Sequence, residues 1–183
     1  MGAERVTPRD AARLTLVVLG FLVLQQTVML DLRIGGVHPD IMVLLPIVAG
    51  IIGGPSRGAT IGFGTGLVAD LFLPTPFGLS ALAACLLGFG VGLATVALDR
   101  TAWWLAPVAA LGGSALYELT YGALGSVLGQ PQMLHVALVR IVVVVSVTNA
   151  VLAWPAMKAM AWGMARSSTE GMPTSDVGVG AAR

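Results

Sequence analysis

Apolar residues dominate this chain in long runs that lack a polar face at helical spacing. A soluble helix keeps charged residues on one side. From Pro39 to Gly92 that side is missing, and beyond Asp40 at its start the stretch carries a single carboxylate, Asp70, deep in an apolar run. The pattern predicts helices surrounded by lipid or by one another. Leu14 to Leu30 reads as a first span, Ile41 to Gly54 as a second and Gly58 to Leu73 as a third. Leu79 to Leu98, Leu105 to Leu128 and Leu134 to about Met157 complete six. Pro, Gly and charged residues mark the loops between them: Asp31 to Asp40, Gly54 to Arg57, Pro74 to Gly78, Asp99-Arg100 and Gly129 to Gln132. Small residues recur four apart at Gly50 and Gly54, at Gly58, Gly62 and Gly66, and at Gly88 and Gly92. In lipid that spacing lets helix backbones come close, so these glycines are read as packing positions.

Composition agrees. Of 183 residues, 56% are hydrophobic and only 10% charged, against roughly 25% charged in a soluble domain. Mean hydropathy is +0.89. The expected fold is therefore all-α: a polytopic integral membrane protein with six transmembrane helices. The length leaves no room for a sizeable soluble domain. Residues 1–12 read as a cytoplasmic N-terminal segment, 13–162 as the membrane domain and 163–183 as a disordered cytoplasmic tail. The near-zero net charge of +1 argues against a nucleic-acid partner. The single cysteine, Cys85, allows no intrachain disulfide and makes a thiolate metal site a poor reading.

Loop charge sets the expected orientation. With the N-terminus inside, the inner segments hold Arg5, Arg9, Arg13, Arg57, Arg100, Lys158, Arg166 and Arg183. The outer loops hold Arg33 alone. Cytoplasmic loops carry the excess of Lys and Arg, so both termini are expected inside a cell membrane crossed an even number of times. Trp103-Trp104 reads as an interface anchor, and Trp154 and Trp162 sit near the far end of the sixth span.

Three ionisable residues fall within spans: Asp70, Glu118 and Arg140. At 1.5 Å per residue all three lie in the outer half, Asp70 and Glu118 about 20 Å from their inner ends. A charge alone in lipid is costly. The bland reading is an internal network in which Arg140 neutralises Asp70, Glu118 or both. The sharper reading is a partner or ligand site. Catalysis is disfavoured, because no nucleophile and base accompany these groups. His38 and Asp40 flank Pro39 in an outer loop, where capping or an interfacial role outweighs metal binding. His135 is read as interfacial, and Gln25 and Gln26 as facing other helices. No zinc-protease, P-loop or dinucleotide motif is present, and no cofactor or metal is expected.

Several of these residues also carry a resemblance. Pro39-Asp40 opens the second span, Gly62-Phe63 and Gly66-Leu67 lead to Asp70, and Phe77-Gly78-Leu79 opens the fourth. In order and spacing, over most of residues 13–160, the chain resembles MreD, the rod shape-determining membrane proteins of bacteria. The resemblance implies a multi-pass protein of the cytoplasmic membrane that is not an enzyme. It implies binding to the single-span protein MreC, and membership of the elongasome with MreB, RodA and a class B penicillin-binding protein. Peptidoglycan synthesis during elongation is the process implied. The fold implied is similar to the six-helix substrate-binding subunits of energy-coupling-factor vitamin transporters, which supply the alternative function. A vitamin site would need polar side chains around an outward cavity and a long capping loop, and the outer loops here are short. The partners expected are therefore MreC and membrane lipid, with MreC held along a lipid-facing groove of small residues in spans two to four.

Overall fold

Every residue from Ile41 to Ile51 is buried. A helix that is apolar all round must be enclosed on every side, and this stretch forms the centre of the molecule. The computed structural model describes residues 8–29, 31–73, 76–96, 98, 102–129 and 137–164. Residues 1–7, His135, Arg100, Arg166, Arg183 and nearly all of the expected tail lie outside them.

Among the described residues the fold is all-helical, with one isolated β-bridge between Ile34 and Val37. The elements are α1 (Pro8–Leu24), prolonged by a π-helical turn at Gln25–Met29, α2 (Leu44–Asp70), α3 (Leu79–Ala94), α4 (Leu105–Val127) and α5 (Ala137–Gly163). Among the described residues, three stretches are long and apolar enough to cross a membrane: Ala11–Met29, Leu44–Asp70 and Leu138–Gly163.

In α2 that length is folded back on itself. Gly54 has φ 77° and ψ −172°, which breaks the helix, and a positive φ is where glycine is favoured. Pro55 follows as the first residue of the next arm, where its missing N–H costs nothing. A Cβ built on Gly62 would lie 3.1 Å from Cβ of Pro46, and one on Gly58 2.8 Å from Cα of Gly50. In a continuous helix Gly50 and Gly58 would stand about 12 Å apart. The chain therefore reverses at Gly54, and α2 is an antiparallel hairpin with arms 44–53 and 55–70. The turn that the sequence spreads over Gly54 to Arg57 is concentrated in one residue.

α3 lies antiparallel on the second arm in a fixed register. Gly58 meets Gly88, Gly62 meets Ala84 and Gly66 meets Ser80 and Ala81, backbone against backbone. Gly92 meets Gly54 and Pro55, and a Cβ built on Gly50 would lie 2.7 Å from the Gly88 carbonyl oxygen. Small residues four apart on two helices make one continuous seam, the geometry that replaces the hydrophobic effect in lipid. Gly62 and Gly66, expected to line a lipid-facing groove, are thus turned inward onto α3.

The remaining helices enclose the hairpin. Ile47 of the first arm packs against Gly113 of α4, its Cδ1 2.9 Å from where a Cβ there would sit. Met29, Leu44, Leu45, Val48 and Met160 share one cluster with Val17 of α1. The outer faces are apolar: Val139, Val143, Val147 and Val151 form an exposed stripe four apart on α5, and Leu82, Leu86, Phe89 and Leu93 form one at three- and four-residue spacing on α3.

The contacts sort into two ends. At one, the Gly54 turn, Met164, Trp162 and Arg13 lie together: Gly53 is within van der Waals reach of Met164 and Arg57, and Gly163 of Val17. At the other, Gln25, Pro39, Asp70, Gly78 and Arg140 find their partners.

Candidate functional site

The second end is where helices stop and irregular backbone begins, and there the polar side chains of the interior gather. Orphan backbone groups in an apolar surrounding cost several kcal/mol each unless bonded. Four side chains answer that cost.

Asp70, the last residue of α2, is 4% exposed. Its Oδ2 accepts from Gly78 N–H at 2.8 Å and Ala81 N–H at 3.3 Å, and its Oδ1 from Ser80 N–H at 3.0 Å. α3 has no capping side chain of its own, because Gly78 sits at its N-cap with φ 96°. Asp70 supplies the missing acceptors across the turn, and a carboxylate there also suits the positive end of the helix dipole.

Gln25, in the π-helical turn of α1, clamps the loop ahead of α2. Its Nε2 donates to the Pro39 carbonyl at 3.1 Å, and its Oε1 accepts from Ile41 N–H at 3.0 Å. Asn149, wholly buried in α5, donates through Nδ2 to the Asp40 carbonyl at 2.8 Å and to Ser114 Oγ of α4 at 2.9 Å. Asp40 turns its own Oδ1 to Met42 N–H at 2.9 Å. Pro39-Asp40 is therefore held from two sides, by Gln25 of α1 and by Asn149 of α5, which also bonds Ser114 of α4.

The Asp40 carboxyl faces a narrow recess lined by Val43, Thr65, Gly66, Ala69, Ala84 and Tyr117, with room for roughly one water molecule. Burial pushes this carboxyl above its ordinary value, and the N–H groups of Met42 and Val43 pull it partly back. Glu118 of α4 feels the charge of Asp40.

The three charges that the sequence reading puts within spans are placed apart in their bonding. Asp70 serves α3. Arg140 is exposed, and its Nη1 donates to the Gly35 carbonyl at 3.2 Å. Glu118 is half-buried on α4. No ion pair joins Arg140 to either carboxylate among the described residues. The expected neutralisation of Asp70, Glu118 or both by Arg140 is not what the described residues form: Arg140 donates to the Gly35 carbonyl, and Asp70 accepts from orphan N–H donors. Asn149 and Ser114 were not singled out by sequence reasoning. An Asn halfway along a 27-residue apolar helix was the available signal.

Chemically this arrangement orders backbone. It brings no set of three or more His, Cys, Asp or Glu side chains into metal-binding range among the described residues. Against known protein families, characterised proteins and solved structures, the chain gives no match.

Proposed function

We propose that this chain is a non-enzymatic assembly protein of the bacterial cytoplasmic membrane, of the MreD type, that crosses the bilayer six times with both termini inside and holds a single-span, MreC-like partner for wall synthesis during elongation. The observation that carries the reading is convergence. The residues on which the resemblance rests lie up to forty positions apart and meet in one construction: Gly62 and Gly66 on Ala84 and Ala81, Asp70 on Gly78, and Pro39-Asp40 beside Gly66 and Ala69. A motif set that folds into a rigid seam with capped ends suits a scaffold.

The two ends support the orientation. Arg9, Arg13, Arg57 and Lys158 belong to the end of the Gly54 turn, and Asp40, Asp70 and Glu118 to the half beyond. The excess of cations marks the cytoplasmic side. The hairpin arms let residues 44–53 and 55–70 count as separate crossings. The first, at about 15 Å, is shorter than the ~30 Å hydrocarbon layer and calls for local thinning.

With Gly62 and Gly66 spent on α3, the outward small residues of the second arm are Ser56, Thr60 and Gly64, flanked by Phe63. A Cβ on Gly64 would meet nothing within 4 Å, so a partner helix can approach closely here. The recess at Asp40 holds about one water, far below the ~300 Å³ of a small-ligand pocket, which weighs against the vitamin-transporter reading.

Affinity purification of the tagged protein from its own cells tests the proposal. A single-span MreC-like protein is expected to copurify, and Gly64→Leu to reduce its yield while leaving the folded level unchanged. Recovery of transporter ATPases instead would overturn the reading.

A further inference from the structure

At the basic end, cations and indoles of two helices share one seam. On α5, Trp154, Lys158 and Trp162 recur four apart, and all three are exposed. On α1, Arg9 and Arg13 are likewise four apart on the side that continues to Val17, which packs on Gly163 of α5. The two stripes adjoin: the Arg13 guanidinium carbon lies 5.7 Å from the centre of the Trp162 ring. Two indoles therefore alternate with a cation on one helix, and two more cations stand on the neighbouring helix. Above them the surface is the valine stripe of α5.

We propose that this α1–α5 seam is a binding site for an anionic phospholipid, its phosphate held by Arg13, Lys158 and Arg9, and its acyl chains laid along Trp154, Val151 and Val147. Charge complementarity selects the occupant. Indole rings settle at the headgroup level, and basic residues just at the helix ends attract acidic lipid. The Trp162 ring holds Arg13 by a cation–π contact, which fixes the guanidinium at the seam. Lys158 lies about 6 Å along the helix from each Trp, at the depth where a lysine reaches outward to a headgroup. The inference rests on the membrane-crossing reading but is independent of the MreC-like partner.

The test is native mass spectrometry of the full-length protein in neutral detergent, titrated with phosphatidylglycerol or with phosphatidylcholine of the same chains. Wild type is expected to retain phosphatidylglycerol preferentially. Lys158→Gln and Arg13→Gln should each lower that preference about five-fold, and together about twenty-fold. Arg140→Gln, at the opposite end, should leave it unchanged. Equal retention of the two lipids, or a preference that survives the double variant, overturns the site while the membrane reading stands. Retention of neither lipid overturns both. Displacement of the lipid by a large excess of glycerol phosphate would show a site for soluble phosphate and also overturn the proposal.

Discussion

Replacing Asp70 with Ala removes the acceptor for three backbone N–H groups at once. Two of those bonds are short, at 2.8 and 3.0 Å, and one is long, at 3.3 Å. A hydrogen bond to a charged group contributes about 1.5–3 kcal/mol, and loss of a helix cap costs about 0.5–2. The bonds share one carboxylate and do not add fully, so the expected loss is about 3–5 kcal/mol. In a chain of this size that lowers the melting temperature by roughly 10 °C. Asp70→Asn keeps one acceptor oxygen and turns an amide N–H₂ toward a donor, so it should lose about half as much. Arg140→Ala removes one 3.2 Å bond from an exposed side chain and should be nearly silent. Thermal unfolding of the detergent-extracted protein, followed by loss of the folded peak on size exclusion, checks all three. Equal damage from Arg140→Ala and Asp70→Ala would refute the capping account and restore an Asp70–Arg140 pair.

Two further outcomes follow from the same geometry. Gly88→Ala points a methyl at the Gly58 carbonyl across the seam and should destabilise by about 1–3 kcal/mol, whereas Gly90→Ala, with nothing within 4 Å, should be neutral or gain up to ~1 kcal/mol in helix propensity; the same unfolding assay compares them. Asp40 is the pH-sensitive group: its folded value is raised, so the protonated form is favoured by folding, and stability declines as pH rises from the ordinary value of 3.8 through the raised one. Asp40→Asn keeps an acceptor for Met42 N–H, and should flatten that decline and raise the melting temperature at neutral pH.

Helix positions were legible in the sequence because lipid-facing and buried runs are both apolar, and Gly or Pro ends them. Leu79 and Leu105 open α3 and α4 where the sequence puts them. The hairpin was legible as two short runs, but not its pivot, since Gly54 and Gly53 look alike until a positive φ selects one. The glycine spacing was visible, and the face it serves was not. Gly62 and Gly64 are two apart and point to opposite sides, one to Ala84 and one outward. The polar residues were the least legible. Depth along a helix shows that Asp70, Glu118 and Arg140 are costly, but not which donors and acceptors are orphaned nearby. For Asp70 a clue existed in Phe77-Gly78-Leu79, a helix start without Ser, Thr, Asp or Asn, which needs an acceptor from elsewhere. For Asn149 and Gln25 the partners are backbone groups of the Pro39 to Ile41 loop, and no helical spacing links Gln25 to a loop 14 and 16 positions on, or Asn149 to one 109 positions back.

The partner face is the central claim, and photo-crosslinking in living cells tests it most directly. A benzophenone amino acid placed at Thr60 or Gly64 points outward from the second arm, and one at Val151 points outward from α5. The account predicts a crosslink to one single-span membrane protein from positions 60 and 64 and none from 151. Crosslinks to lipid alone from all three positions, or to the same protein from 151 only, would contradict it.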